Sequence, residues 1–392
     1  MEKNNKTLNV PHLRFPEFSK EWEICKVSDI LDFYSTNSLA WEQLEYGAYG
    51  LKNLHYGLIH NGLSTCVDTK DAILPVIKQN CIPKNYTECQ NGDVAFADAS
   101  EDTNDVAKCV EFTDCHADKV VCGLHTIQGR DKGDKTVVGF KGYAFSSQAF
   151  RHQIRRLAQG TKIYSISSKN FSECNIGIPS KEEQTKIATL LKLIEQCILT
   201  QKKIIEKYES LIKGIRRNLL KFESSVRTCN LKDICKITTG KLDANAMEED
   251  GVYPFFTCAE NSFTINTYAF DTEALLVSGN GANVGYINYC NGKFNAYQRT
   301  YVLYDFSVNI HYVRYYMDAF LRQRIDQEKN VGNTPYIVLS TLADMKICIP
   351  SHARQLDVCR VIKALENKLT LEIDLYNSYR RVKDFLLRRM FI

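Results

Sequence analysis

A glycine-rich run, Gly279-Asn280-Gly281-Ala282-Asn283-Val284-Gly285, has the composition of a loop that could cradle a phosphate. Dinucleotide binding needs such glycines between a strand and a helix, so that the helix N-terminus faces the phosphates. Here the run is followed by Tyr286-Ile287-Asn288-Tyr289, which reads as another strand. A β-hairpin tip is therefore expected. Small residues at a tip let the backbone approach a nucleic-acid groove closely. Asn280 and Asn283 also offer the paired donor and acceptor that suits adenine, while the neighbouring Gln298 and Arg299 suit adenine and guanine in the major groove.

Covalent chemistry finds no anchor. The chain has no Asn-Pro-Pro-aromatic motif for amino-group methylation and no phosphate-loop lysine motif. His55, His60, His116, His125, His152, His311 and His352 are scattered without metal-ligand spacing and read as turn or packing residues. The 15 cysteines include no close C-x-x-C pair, so no metal site is expected. Free, mostly buried thiols in a reducing compartment account for them. No catalytic residue and no bound cofactor is expected on this chain.

Positioning these residues falls to a repeated architecture. Ile178-Pro179-Ser180 followed by Gln184 recurs as Ile349-Pro350-Ser351 followed by Gln355. Each copy opens a segment without further proline, which predicts two long helices. In the first, Ile187, Leu191, Ile194, Ile198 and Ile205 step by fours and threes, the seam of a coiled coil, interrupted at Gln201. Val358, Ile362, Leu365 and Leu369 repeat the pattern, interrupted at Glu372 and again at Lys383. Two readings of Gln201 and Glu372 stand side by side: polar residues that fix register within the seam, or a solvated edge of a curved seam.

The segments upstream of each helix are rich in Tyr, Phe, Val, Ile and Thr, with short runs such as Asp93-Val94-Ala95-Phe96 and Ala274-Leu275-Leu276-Val277 flanked by turn residues. These predict strands, with helical pieces at Ser147–Leu157 and Ile310–Gln327. The expected fold is α+β: mixed α/β globular domains at 1–178 and 223–349 alternate with helices at 179–222 and 350–392. The helices are expected to pack as an antiparallel coiled coil, giving a pseudo-two-fold internal repeat.

Composition bounds the partners. Of 392 residues, 44% are hydrophobic and 24% charged, which excludes general disorder. No stretch approaches the ~20 uncharged apolar residues of a membrane span, and residues 1–7 are polar, so a cytoplasmic protein without membrane contact is expected. The net charge of +4 divides unevenly: −2 over 1–178, +5 over 179–222, −3 over 223–349 and +4 over 350–392.

Taken together, Leu13-Arg14-Phe15-Pro16-Glu17-Phe18 with Trp22, Ile178-Pro179-Ser180 with Glu183, Gln184 and Ile187, and Phe294-Asn295-Ala296-Tyr297-Gln298-Arg299-Thr300-Tyr301 resemble the specificity (S) subunits of type I restriction–modification systems. The resemblance covers nearly the whole chain. It implies two target-recognition domains, each reading half of a split double-stranded DNA sequence, and helices that hold them apart and dock two methyltransferase (M) subunits. It also implies restriction/translocase (R) subunits as partners, with S-adenosylmethionine and ATP bound only by partner subunits. The competing expectations are a coiled-coil interaction scaffold whose domains bind proteins, and an enzyme using Gly279–Gly285 as a nucleotide loop.

Two departures limit the carry-over. Ser351-His352-Ala353-Arg354-Gln355 lacks the acidic residue found at Glu183, so equivalence of the two M-docking surfaces is not carried over. Ala97-Asp98-Ala99-Ser100-Glu101-Asp102 stands where many relatives have a basic, glycine-containing turn, so no contact made by that turn is carried over either. The DNA-contact candidates are Arg151, Arg155, Asn280, Asn283, Gln298, Arg299, and, after a glycine turn shared by both halves, Lys162, Tyr164 and Asn333.

Overall fold

The computed structural model describes residues 9–47, 49–116, 118–133, 135–220, 226–328 and 336–392. Two compact units result, Met1–Lys202 with Asp374–Ile392, and Lys203–Ile373.

In the first unit the strands that matter are β1 (Glu23–Lys26), β2 (Leu31–Tyr34), β3 (Cys66–Asp68), β4 (Val94–Ala97), β5 (Cys109–Asp114), β6 (Thr126–Asp131) and β7 (Asn175–Ile178). Five of them form one sheet in the order β2-β6-β4-β5-β3. Its pairs are antiparallel except β3 with β5. All four residues of β4 are buried, because both of its faces are covered. Val94 and Phe96 join one core cluster, and Ala95 and Ala97 the other. Helices α1 (Phe140–Ser146) and α2 (Gln148–Leu157) cover the first face, and β1 pairs with β7 beside them.

The second unit repeats this plan with β8 (Arg227–Asn230), β9 (Lys236–Thr239), β10 (Tyr253–Phe256), β11 (Phe263–Ile265), β12 (Phe270–Ser278), β13 (Ile287–Ala296), β14 (Thr300–Tyr304) and β15 (Lys346–Ile349). Its sheet runs β9-β14-β12-β13-β10-β11. The first five strands correspond one for one to those of the first unit, including the parallel fifth strand, β10 against β13. Central strand β12 again separates two clusters, with Leu275 and Val277 on one face and Ala274 and Leu276 on the other. β8 pairs with β15 as β1 does with β7.

The long helices are α3 (Lys181–Leu220) and α5 (His352–Arg389), and α4 (Ile310–Glu328) packs into the second unit's core. Both starts are built alike. Ser180 and Ser351 accept from the backbone N–H three residues on, which caps the first turn. Gln184 donates to the Pro179 and Lys135 carbonyls, each at 2.9 Å, and accepts from the Val137 N–H at 2.9 Å. Gln355 donates to the Pro350 carbonyl at 2.9 Å and accepts from the Asn309 N–H at 3.1 Å. Each glutamine therefore ties a helix start to the domain beside it.

Glu183 has a different task. It is buried and receives both Nε and Nη2 of Arg14 at 2.7 Å. The acidic residue that the second helix lacks is thus an inward anchor for the chain's opening segment.

Within each unit the helices run antiparallel. In the first, Glu195 meets Lys383, while Ile187 and Leu191 share a core with the later residues Leu386 and Met390. In the second, Arg216 meets Glu366, while Leu220 shares a core with the earlier residues Val358 and Ile362. Along the seam Ile194, Ile198, Ile205, Leu365 and Leu369 are half-buried. Gln201 and Glu372 are 5% and 9% exposed, so neither sits at a solvated edge.

Candidate nucleic-acid interface

In the second unit β12 and β13 form an antiparallel hairpin, and the glycine-rich run is its tip. Gly281 and Gly285 take positive φ of 81° and 83°, which lets the tip fold back without side-chain clash. At Gly279 a Cβ would lie 2.3 Å from the Arg299 carbonyl oxygen, so only glycine fits there. The Gly279 N–H donates to that oxygen at 2.9 Å, and its own carbonyl accepts from the Ile337 N–H at 2.8 Å.

These bonds set the tip beside the β13–β14 turn that carries Gln298 and Arg299. Both residues are exposed. Gln298 already donates to Asp243 Oδ1 at 2.8 Å, whereas the guanidinium of Arg299 has no hydrogen bond among the described residues. Asn280 pairs with Tyr336 through the backbone. Asn283 uses its amide nitrogen to hold the Cys258 carbonyl at 3.2 Å, which makes it a brace for the tip. Asn333 lies outside the described residues.

In the first unit the strand carrying Tyr164 lies at the corresponding place. Gly160 has φ of 137°, and a Cβ there would lie 1.9 Å from the Ile163 carbonyl oxygen, so the turn over 160–163 depends on glycine. Lys162 stands exposed on this turn, and Tyr164 and Ser165 pair with Ser100 and Ala99. By this pairing it is Ser165, one residue beyond Tyr164, that occupies the position of Tyr336. Arg151 and Arg155 lie on α2. Arg151 donates to the carbonyls of Asn104 and Val106, and Arg155 to Asn104 Oδ1 at 3.3 Å. Burial pushes the Arg151 guanidinium down to about 10, as fits a cation that clamps the 102–107 loop.

One correspondence goes beyond what the local sequence shows. Asp98, just past β4, donates its N–H to the His125 carbonyl at 3.1 Å and accepts from the Ile166 N–H at 3.0 Å. These are the bonds Gly279 makes with Arg299 and Ile337. Asp98 and His125 therefore occupy in the first unit the positions that Gly279 and Arg299 occupy in the second. The sequence already set this turn where relatives have a basic, glycine-containing one, and the sheet register adds its partner His125.

Among the described residues no group of three or more His, Cys, Asp and Glu could hold a metal ion. None of their helices is long and apolar enough to cross a membrane.

The model of the type I restriction modification DNA specificity domain matches residues 116–210 and again 223–378, well over half of the sequence. The chain belongs to the type I restriction–modification DNA specificity family. It carries two such domains, the first lying largely in the first unit and the second largely in the second. Among curated proteins, the EcoDI type I restriction enzyme specificity subunit of Escherichia coli is 40% identical over 129 residues, 33% of this chain and 28% of that protein. The MjaIX specificity subunit of Methanocaldococcus jannaschii is 22% identical over 300 residues, 66% of this chain and 69% of that one. The crystal structure of the type I S subunit from M. genitalium has the same fold, with a TM-score of 0.61 at 16% identity over 98% of this chain and 99% of that chain.

Proposed function

We propose that the chain is the sequence-reading, non-catalytic subunit of a type I restriction–modification enzyme. Each domain reads one half of a split double-stranded DNA target, at the end of its sheet where the turn after the central strand meets the turn before the antiparallel neighbour. The observation that carries this reading is the duplicated site: the same pair of backbone bonds holds Asp98 to His125 and Ile166, and Gly279 to Arg299 and Ile337. In the second domain Arg299, Gln298 and Asn280 supply the base contacts, with Asn283 bracing the tip. In the first, Lys162 and Tyr164 lie beside the turn after the central strand, while Arg151 and Arg155 hold the loop that follows it.

Helices α3 and α5 act as the scaffold on which two M subunits dock, with R subunits joining the complex. S-adenosylmethionine and ATP belong to those partners, and the complex works in the cytoplasm where the DNA is. A domain-swap chimera co-expressed with its M subunits tests the reading. Swapping one domain is expected to change one half of the methylated motif, and a change in both halves would refute modular reading.

The net-negative domains favour the rival reading of a protein-interaction scaffold. Binding against salt separates the two. Phosphate contacts make the DNA affinity of the M–S complex fall steeply with salt, whereas a scaffold gives a flat response.

A further inference from the structure

We propose that Asp98 and His125 are the base-specifying pair of the first domain, and that they require a cytosine in its half-site, recognised through its N4 amino group. This rests on the reading of the two domains as DNA readers and names what one of them selects.

The turn is fixed from several sides. Besides the two backbone bonds of Asp98, the next carbonyl, that of Ala99, accepts from His60 Nε2 at 3.0 Å. A carbonyl cannot donate, so His60 carries its proton on Nε2, and its buried Nδ1 is left without a partner among the described residues. His60 therefore serves to hold the turn.

The two side chains themselves are accessible, Asp98 32% and His125 51% exposed. His125 Nδ1 lies 3.2 Å from Asp98 Oδ1. The carboxylate can only accept, so Nδ1 is the donor of this bond, which orients the carboxylate and leaves its second oxygen free. His125 adopts φ of 53°, a left-handed conformation that non-glycine residues rarely keep without a reason such as a site to hold open.

The pair thus presents an acceptor, the free carboxylate oxygen of Asp98 held in place by His125, where the second domain presents the donors of Arg299. Acceptors repel phosphates, which leaves base edges as their target. In the major groove only adenine and cytosine display an amino donor. Adenine sets the N7 lone pair beside it, facing the carboxylate, whereas cytosine has only C5–H there. Equal positions in the two domains therefore carry opposite chemistry, guanine-directed in one and cytosine-directed in the other.

The test uses the complex reconstituted with its M subunits and sequencing of the methylated motif for wild type, Asp98→Asn and His125→Asn. Asparagine tolerates the left-handed conformation at 125, so the second variant decides if the first fails to fold. Each is expected to relax discrimination at one C·G pair of one half-site by roughly tenfold, leaving the other half-site unchanged. An unchanged motif in both variants would overturn the assignment, as would a first half-site without a C·G pair. A wild-type complex that methylates no defined sequence would instead defeat the underlying reading of the domains as DNA readers.

Discussion

Lys383 breaks the apolar run of α5, and the break has a structural purpose. Its Nζ lies 2.7 Å from Glu195 Oε1 and 3.0 Å from Thr65 Oγ1, while Glu195 also accepts from the Thr65 N–H and the Tyr143 hydroxyl, each at 3.0 Å. One buried carboxylate thereby joins both helices to the first domain within its unit. Burial pushes the Glu195 carboxyl up, but Lys383 and the hydrogen bonds outweigh it and hold the group below its ordinary range. A lowered folded pKa means stabilisation that is present at neutral pH and lost as pH falls through the folded value. The stability difference between wild type and Glu195→Gln, followed by denaturant melts, should therefore shrink on acidification below about pH 4. Lys383→Met leaves a buried charge unpaired and should cost about 3–5 kcal/mol, and adding Glu195→Gln should recover most of that loss.

At the scale of elements, the helix starts were plainly legible, because Ile-Pro-Ser with a glutamine five residues after the proline recurs in two places. The partners of those glutamines were not. Gln184 satisfies three backbone groups and Gln355 two. Truncation to alanine strands these groups, so Gln184→Ala should cost about 1–3 kcal/mol in urea unfolding and Gln355→Ala less. The seam was legible through its steps of three and four. Ile362, fully buried in the second unit, should on replacement by Lys abolish folding or M-subunit assembly, scored by co-purification of M. The central strands were legible too, from runs such as Ala274-Leu275-Leu276-Val277. Hidden were the pairings fixed by distant segments, such as Arg14 with Glu183, 169 residues apart, and Asp98 with His125. A pair of this kind depends on which strands become neighbours, and no local pattern carries that.

For the whole molecule, the charge partition constrains how recognition can work. The domains together carry −5 and the helical segments +9. On the proposed reading, acidic domains gain little from non-specific attraction to phosphates, so their contribution would come from the few side chains that meet base edges, with the positive excess lying on the helical segments. Recognition of this type is local to each site, and separate sites contribute independently. Arg299→Ala should then relax a guanine in one half-site and Asp98→Asn a cytosine in the other, each by about 1–3 kcal/mol of discrimination. In the double variant of the M–S complex, measured by competition binding on oligonucleotides altered in either half, the two losses should add to within about 0.5 kcal/mol. A coupling much larger than that would mean the halves of the target are not read separately, because one domain's contact would then depend on the other's.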